Sequence, residues 1–277
     1  MKGHLGRLIT AVVLLPVLYF IIRHGHPFVF YVLVAGGILI GQYELYRFYY
    51  PQDHFMKILL GMMFGFFLSL SFHLEGLFPA LNLPILLLTL ISICAMLFPL
   101  FTTKEIKPAL ADSAVMLFGV VYISLLLSHL LPLRGLPDGE LLILFVIGMT
   151  WLTDAGAYYV GGLLGRHPLA SRISPKKTME GALGGLVFGV LGSLGAKFWF
   201  LPGLSVGDSA VLGVLLGLVG QLGDLVESLW KRSAGVKDSS TLLRAHGGIL
   251  DKVDSLIFTA PVFYYYLVLV KGWGSLL

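Results

Sequence analysis

The sequence predicts an all-α polytopic membrane protein with about nine transmembrane helices. The composition is the first reason: 57% of the 277 residues are hydrophobic and 12% are charged, whereas soluble domains carry about 25% charged residues. The second reason is a series of apolar runs, each close to the roughly 20 residues that a membrane-spanning helix requires. This composition excludes a disordered protein, a disulfide-framed secreted domain and an ordinary soluble enzyme.

Nine apolar runs follow one another along the chain. The first follows a short charged start that resembles a signal peptide, but no small-residue cleavage site follows it and more spans come after it. It is therefore predicted as a helix. The predicted spans are 8–22, 28–48, 56–73, 84–100, 112–131, 140–163, 181–201, 208–230 and 252–270.

The distribution of basic residues predicts the orientation of these spans. With nine spans, 15 of the 19 Lys and Arg residues fall on the side that holds the N-terminus. Loops rich in Lys and Arg are typically cytoplasmic, so the N-terminus should be cytoplasmic and the C-terminus outside. Orientation and anionic headgroups account for the net charge of +4, and no nucleic-acid partner is predicted.

The chain is predicted to form a single integral membrane domain over residues 1–277. Residues 1–135 supply packing spans that are poor in reactive groups, whereas 140–270 supply the spans and the two polar cytoplasmic loops that carry the candidate functional residues. The loops are 166–180 and 231–251, and the basic-residue count places both on one face.

Small and aromatic residues indicate how the spans pack. The 34 glycines favour closely packed helix faces, of which Gly181, Gly185 and Gly189 form one, and they are compatible with a homodimer. The tyrosines at positions 43, 46, 49 and 50 are predicted to form an aromatic belt at the membrane interface. The single cysteine, Cys94, cannot form an intramolecular disulfide and is predicted as a small apolar residue.

Ionisable residues inside spans are costly and are therefore candidate functional residues. Asp154 lies in the middle of the sixth span. Asp224 and Glu227 lie near the end of the eighth span, and Asp251 and Asp254 open the ninth. Each pair is spaced i, i+3 and so shares one helix face. Four carboxylates would repel one another without a cation, and their oxygens suit Mg²⁺.

Basic residues and a glycine pair accompany these carboxylates. Backbone N–H groups at a helix start favour bound phosphate, and Gly247-Gly248 stands directly before the ninth span. Acidic metal ligands, basic phosphate clamps and a flexible glycine pair predict phosphoryl or nucleotidyl transfer on the cytoplasmic side of the membrane. The basic residues of this group are Lys231, Arg232, Lys237 and Arg244.

Each of these features also has a purely structural interpretation. Asp224 and Lys231, spaced i, i+7, are compatible with a structural ion pair. Gly247-Gly248 alone favours a simple turn, and His246 alone favours a hydrogen-bonded loop residue. Ser174-Pro175 has the residue types of a helix N-cap followed by a first-turn proline and is compatible with the start of the seventh span.

Several stretches together resemble the phosphatidate cytidylyltransferases (CDP-diacylglycerol synthases), a family of integral membrane enzymes. The resemblance covers roughly 140–270, and the C-terminal motif carries most of it. It departs from the family at Arg244, where a small residue or proline is usual, and at Lys252, where arginine is usual and the bidentate fork is lost. The resembling stretches are Ser228-Leu-Trp-Lys231-Arg232, Lys237-Asp238, His246-Gly247-Gly248-Ile-Leu-Asp251-Lys252-Val-Asp254, Ser174-Pro175-Lys176-Lys177-Thr178-Met179-Glu180-Gly181, and Asp154-Ala-Gly-Ala-Tyr158 followed by Gly161, Gly165 and Arg166.

The resemblance implies the conversion of CTP and phosphatidic acid to CDP-diacylglycerol and pyrophosphate in phospholipid biosynthesis, in a bacterial inner (plasma) membrane. It implies Mg²⁺, and the number of carboxylates allows a second cation. It also places Asp154 at the substrate cavity. It assigns catalysis to Asp224, Lys231, Asp251 and Asp254, metal binding to Asp224, Glu227, Asp251 and Asp254, and substrate contacts to Ser174, Lys176, Lys177, Thr178, Ser228, Arg232, Lys237, His246, Gly247 and Gly248.

Two other functions remain open at this point. A CTP-dependent lipid kinase, similar to dolichol kinase, would release CDP and a phosphorylated lipid instead of pyrophosphate and a CDP-lipid. An ion-coupled transporter would use Asp154 and Asp224 in broken helices, although the chain has no inverted repeat. A CDP-alcohol phosphotransferase does not fit, because the sequence after Asp138-Gly139 does not continue as that family's motif does.

Overall fold

The computed structural model describes residues 15–50, 54–102, 106–240 and 247–273. In these ranges, eight helical segments are long and apolar enough to cross a membrane, and they match the second to ninth predicted spans. The first predicted span overlaps a shorter apolar helix, and its residues 8–14 lie outside the described ranges. The helices are α1 (Leu15–His24), α2 (Pro27–Tyr49), α3 (Phe55–Leu74), α4 (Leu83–Thr102), α5 (Ala109–Gly119), α6 (Leu126–Ser128), α7 (Leu130–Gly135), α8 (Gly139–Leu164), α9 (Met179–Trp199), α10 (Val206–Ser233) and α11 (Leu250–Tyr265), and two short strands are β1 (Pro168–Ala170) and β2 (Ser174–Thr178).

Local capping interactions explain where α9 and α10 begin. The Ser205 hydroxyl accepts a hydrogen bond from the Asp208 N–H at 3.0 Å, and the Asp208 carboxylate accepts one from the Ser205 N–H at 2.9 Å. This reciprocal capping box satisfies two N–H groups that an α-helix otherwise leaves unpaired. At the start of α9, the Thr178 hydroxyl accepts a hydrogen bond from the Gly181 N–H at 3.1 Å.

The alternative in which Ser174-Pro175 starts the seventh span is wrong. Residues 174–178 form strand β2, which pairs antiparallel with β1 so that Pro168 lies opposite Thr178 and Ala170 opposite Ser174. The helix begins only after Thr178. Strand pairing therefore overrides a local capping signal, and a small hairpin is added to an otherwise helical fold.

The helices belong to two compact units, and each unit combines segments that are far apart in the sequence. One, here called the α2–α6 unit, contains residues 26–132 and the segment 238–250. The other, the α8–α11 unit, contains 133–237 and 251–273 together with α1. The division of roles between 1–135 and 140–270 stays a prediction.

Buried tyrosines organise part of the α2–α6 unit. The Tyr46 hydroxyl donates to the Met116 carbonyl oxygen at 2.9 Å, and the Tyr50 hydroxyl donates to the Asp112 carbonyl oxygen at 3.1 Å. The Asp112 carboxylate is in turn paired with Lys57, with an N–O distance of 2.6 Å. Glycines 61 and 119 flank the Tyr46 ring so closely that a Cβ on either would collide with it.

The predicted aromatic belt is therefore wrong for two of its four tyrosines. Tyr46 and Tyr50 are buried, whereas Tyr43 and Tyr49 are 44% and 50% exposed. A tyrosine suits either environment, because its ring is apolar and its hydroxyl needs only one partner. Tyr46 and Tyr50 can be buried because carbonyl groups of α5 accept hydrogen bonds from their hydroxyls. The spacing of the tyrosines in the sequence does not indicate these partners.

Glycines bring α8, α9 and α10 into close contact in the α8–α11 unit. A Cβ added to Gly181 would lie 3.0 Å from the Cα of Gly161 on α8, and one added to Gly189 would lie 2.7 Å from the Gly213 carbonyl oxygen on α10. Backbones that approach this closely leave no room for side chains. The packing face predicted from Gly181, Gly185 and Gly189 is confirmed, since all three are buried.

We expect Gly189→Ala to lower the thermal stability of the protein, whereas Gly195→Ala on the same helix should not. The added methyl at position 189 meets the backbone of α10, but no atom lies within 4 Å of a Cβ at position 195. Overpacking of this kind typically costs about 1–3 kcal/mol, whereas alanine in an open helical position is favoured by about 1 kcal/mol over glycine. Thermal unfolding of both variants in detergent measures the difference, and equal unfolding midpoints would contradict the expected packing.

Candidate active site

The β-hairpin between α8 and α9 is fastened to the first turn of α9. The Glu180 carboxylate accepts hydrogen bonds from the backbone N–H groups of Arg166 and His167 at 3.0 and 3.2 Å. The same carboxylate pairs with the His167 ring at 2.5 Å. These contacts tie the start of the hairpin to the helix that follows it, so the side chains of β2 are held in a defined position.

A cavity of about 630 Å³ lies between this hairpin and helices α8, α9 and α10. Its volume is in the range of roughly 300–1,000 Å³ that is typical of small-molecule sites. Asp154 lines it, as the sequence predicted, and so do two polar residues that the sequence analysis did not assign to the site, Tyr158 and Gln221. The other predicted site residues in its wall are Ser174, Lys176, Lys177, Thr178 and Asp224.

Asp224 is paired with the hairpin and not with Lys231. Its carboxylate lies 2.5 Å from the Lys177 ammonium group, and it accepts a hydrogen bond from the Ser228 hydroxyl at 3.4 Å. The alternative of a structural Asp224–Lys231 pair is therefore wrong. The side chains of Lys177 and Asp224 are 29% and 30% exposed, and both line the cavity, but the Lys177 nitrogen itself is buried.

Lys231 joins two other predicted site residues. Its ammonium group lies 2.5 Å from a Glu227 oxygen and 2.6 Å from an Asp251 oxygen. The Glu227 carboxylate is fully buried, and the side chains of Lys231 and Asp251 are 11% and 12% exposed. A buried cation between two carboxylates offsets the large cost of removing each charge from water. This contact links the end of α10 to the first turn of α11.

The remaining carboxylates lie close to these pairs. Asp254 is near enough to Asp224, Glu227 and Asp154 for each to repel its negative charge. One Asp254 oxygen accepts a hydrogen bond from the Ser255 N–H at 2.7 Å. The i, i+3 spacings therefore bring the acidic residues of α10 and α11 into one electrostatic environment, with Asp154 at its edge.

The donor set fits a hard cation, although the side chains are not arranged as a complete metal site. Among the described residues, no group of three or more His, Cys, Asp or Glu side chains converges as ligands. Lysine ammonium groups instead lie beside three of the four carboxylates. Oε1 of Glu227 is buried and accepts no hydrogen bond from the described part of the chain, which is an oxygen that a cation or a water molecule could satisfy.

The other predicted substrate-binding residues lie in different environments. Arg232 is exposed, and its guanidinium group donates to the carbonyl oxygens of Ile173 and Val236 at 3.2 and 3.1 Å. Lys237 is exposed. Gly247 and Gly248 belong to the α2–α6 unit. His246 and Arg244 lie outside the described residues, so the predicted phosphate contacts of this group stay predictions.

The sequence analysis missed two of the buried carboxylates in the described residues, Asp112 and Glu44, of which Glu44 lies in helix α2. Glu44 is 2% exposed, and it accepts hydrogen bonds from the N–H groups of Ile249 and Leu250 at 3.1 and 2.8 Å. The signal was present, because a carboxylate inside an apolar span is costly wherever it occurs. Glu44 lies outside the motif-rich half of the chain, so no neighbouring motif marks it.

Comparisons with known proteins identify relatives along nearly the whole chain. The profile of the family described as the cytidylyltransferase family matches residues 5–270. A protein of Staphylococcus saprophyticus named phosphatidate cytidylyltransferase is 34% identical over 251 residues, which cover 86% of this chain and 93% of the relative. A protein of Aquifex aeolicus with the same name is 35% identical over 243 residues, covering 85% of this chain and 90% of the relative.

A third relative matches more strongly over a shorter stretch. The protein of Synechocystis sp. named phosphatidate cytidylyltransferase is 48% identical over 143 residues. That stretch covers 50% of this chain and 46% of the relative, so this chain matches about half the length of that protein. Because the family profile spans most of the chain and two relatives match over nine-tenths of their own length, the resemblance predicted from the C-terminal motif is confirmed, and this chain belongs to the cytidylyltransferase family.

Proposed function

We propose that this protein is a phosphatidate cytidylyltransferase of phospholipid biosynthesis. A phosphate oxygen of phosphatidic acid attacks the α-phosphorus of CTP, the bond from that phosphorus to the β-phosphate oxygen breaks, and CDP-diacylglycerol and pyrophosphate are the products. The names of relatives that match most of this chain support this reaction. The eight candidate spans provide the membrane setting that a lipid substrate requires.

The observation that carries the proposal is the cavity in which a basic hairpin faces an acidic helix. Lys176 and Lys177 on β2 and Asp224 on α10 line one space of about 630 Å³. Lysine ammonium groups bind phosphate oxygens as point charges. An acidic helix face opposite them suits a reaction in which two polyanions and a cation must be brought together.

The protein groups act mainly by positioning and by charge neutralisation. The attacking lipid phosphate is already an anion, so no general base is required. Lys177 can exchange its contact with Asp224 for a phosphate oxygen, since both side chains line the cavity. Ser174, Lys176 and Thr178 surround the same space and hold the nucleotide or the lipid headgroup. Alignment of the two reacting groups supplies much of the rate enhancement in such reactions.

Mg²⁺ would be held by four acidic residues, and their number allows a second cation. These residues are Asp224, Glu227, Asp251 and Asp254. The metal would neutralise charge on the triphosphate and on the departing pyrophosphate. Lys231 holds Glu227 and Asp251 together, so it maintains the acidic group in one place and balances its charge. Ser228 orients Asp224 through its hydroxyl.

We also infer that the N-terminus faces the cytoplasm of a bacterial inner membrane, with the C-terminus outside. The excess of Lys and Arg on one side of the predicted spans supports this orientation. It places the cavity beside the cytoplasmic loops, where CTP is available.

A product assay with chelation tests the reaction and its metal requirement. With purified protein in detergent micelles, phosphatidic acid, α-labelled CTP and Mg²⁺, we expect label in the lipid fraction and equimolar release of pyrophosphate. EDTA should abolish both products, and excess Mg²⁺ should restore them, because the acidic residues need a cation to accept a triphosphate.

Other products would identify other functions. Labelled CDP with an unlabelled phosphorylated lipid would indicate the lipid kinase and contradict cytidylyl transfer. No turnover of CTP by a protein shown to be folded would contradict the enzyme assignment and favour the transporter. Turnover that persists in EDTA would contradict the metal assignment alone.

A further inference from the structure

Glu44 is a buried charged residue that the proposed reaction does not use. It lies in the last third of α2, an otherwise apolar span, and is 2% exposed. All its hydrogen-bond partners named here belong to the same compact unit, in the segment 238–250. Its Oε2 accepts from the Ser239 hydroxyl at 3.0 Å and the Leu250 N–H at 2.8 Å, and its Oε1 accepts from the Ser240 hydroxyl at 2.5 Å and the Ile249 N–H at 3.1 Å.

These four hydrogen bonds explain how a carboxylate is tolerated at this position. A buried carboxylate without partners is strongly unfavourable, whereas hydrogen bonds to a carboxylate are among the stronger ones in proteins. Two of the donors are backbone N–H groups at the start of α11, where the helix dipole also favours negative charge. Glu44 thus caps α11 from another helix, at the position where the sequence predicted a bound phosphate.

The glycine pair before α11 makes this contact possible. A Cβ added to Gly248 would lie 2.5 Å from each carboxylate oxygen of Glu44 and closer still to the Ser239 hydroxyl. Gly247 has a φ of +78°, a backbone conformation that favours glycine. Both glycines therefore have a structural reason to be present, namely the close approach of the Glu44 side chain and the tight turn before the helix.

The hydrogen bonds to Glu44 hold the first turn of α11. Leu250, whose N–H group is held by Glu44, is the first residue of the helix and is fully buried. Asp251 is the next residue, and Asp254 follows one turn later on the same face. Any displacement of the Leu250 N–H therefore moves the carboxylates that the proposed function assigns to metal binding.

We propose that Glu44 is a positioning residue that fixes the first turn of α11 and thereby places Asp251 and Asp254 for catalysis. This inference rests on the proposed function, because it assigns Glu44 a role through these two carboxylates. Glu44 itself touches neither substrate nor metal. It acts as a buried anchor that joins α2, the Ser239-Ser240 segment and the start of α11.

The test compares Glu44→Gln with a matched buried carboxylate, Asp112→Asn. Glutamine has the same shape, but its amide nitrogen replaces one of the two acceptor oxygens, so one of the two N–H groups at the start of α11 should lose its acceptor. We expect kcat for cytidylyl transfer to fall about a hundredfold, as a displacement of about 1 Å at reacting groups can cause. The KM for CTP should stay within about twofold, because the cavity residues that contact the nucleotide are unchanged.

Asp112 is an equally buried carboxylate of the same unit, 3% exposed and paired with Lys57, but it has no contact with α11 among its described partners. Asp112→Asn should lower the unfolding midpoint and leave kcat unchanged. A similar loss of kcat in both variants would mean that general destabilisation is responsible and would overturn the positioning role.

Hydrogen–deuterium exchange provides a readout that does not depend on activity. The Ile249 and Leu250 N–H groups bond to different oxygens of Glu44, and glutamine keeps only one oxygen. At least one of these two amides should therefore exchange about tenfold faster in Glu44→Gln than in the wild type. Unchanged exchange at these two amides would overturn the inference. If Glu44→Gln does not fold, Ser240→Ala serves as a milder variant, because it removes a single donor to Glu44. We then expect a severalfold loss of kcat and faster exchange at the Ile249 amide. A wild-type kcat together with wild-type exchange at Ile249 would overturn the inference.

The outcomes separate this inference from the proposed function. A folded wild-type protein without cytidylyl transfer contradicts the proposed function, and the exchange experiment still tests whether Glu44 holds the start of α11. An active wild type with a fully active Glu44→Gln variant contradicts the positioning role and leaves the proposed function intact.

Discussion

Replacing Asp251 with Asn is expected to abolish cytidylyl transfer while the protein remains folded in the membrane. Asn has nearly the same volume, but it removes the negative charge that lies 2.6 Å from the Lys231 ammonium group and that we assign to metal binding. Loss of a preorganised charge at the reacting centre typically costs about a hundredfold to a thousandfold in kcat, and the loss of a metal ligand should reach at least the upper value. Steady-state kinetics with α-labelled CTP and phosphatidic acid measures this effect.

Asp208→Asn is the matched control for this substitution. Asp208 lies in the first turn of α10 and also pairs with a lysine, with a distance of 2.7 Å to the Lys271 ammonium group. It lies 16 residues before Asp224 along the same helix, about 24 Å along the helix axis. We expect this variant to keep wild-type kcat and to lose only stability. Full activity of Asp251→Asn would remove Asp251 from the active site.

Replacing Lys231 with Met is expected to remove both stability and activity. The side chain of Lys231 is almost completely buried between Glu227 and Asp251, so its loss leaves two carboxylates close together without a cation. Removal of one partner from a buried ion pair typically costs about 3–5 kcal/mol. Thermal unfolding should be measured in EDTA, so that no metal ion replaces the ammonium group, and cytidylyl transfer should be measured with Mg²⁺.

The double variant Lys231→Met with Glu227→Gln separates the two effects. Glutamine removes the fully buried charge at position 227, so the double variant should recover much of the lost stability. Its activity should remain low, because the cation that holds the acidic group together and one proposed metal ligand are both missing. An active Lys231→Met variant would show that Lys231 only stabilises the fold, and an unchanged unfolding midpoint would contradict the buried ion-pair arrangement.

The membrane spans could be predicted from the sequence with good accuracy. The run predicted at 84–100 corresponds to α4 (Leu83–Thr102), and the run predicted at 208–230 corresponds to α10 (Val206–Ser233). A span must be apolar over about 20 consecutive residues, and every backbone N–H and C=O group inside the bilayer must be satisfied within the helix. These constraints act along the chain, so they leave a direct record in the sequence.

The partners of charged and polar side chains could not be predicted in the same way. The spacing of Asp224 and Lys231 suggested an ion pair along α10, but Asp224 pairs with Lys177 on the hairpin and Lys231 pairs with Asp251 on α11. The signal at Ser174-Pro175 suggested a helix start, but pairing with β1 made this segment a strand. In each case a contact between distant parts of the chain decided the outcome over a local preference.

The sequence by itself therefore determined the class of protein, the positions of the spans, the family and the residue types at the site, because these depend on local hydrophobicity and on a motif with fixed spacing. Only the tertiary structure decided that Lys177 and Asp224 share a cavity, that Lys231 joins α10 to α11, and that Glu44 on α2 caps the start of α11. The physical reason is that a buried charge needs a partner, and the partner that it finds depends on which helices and loops meet in space.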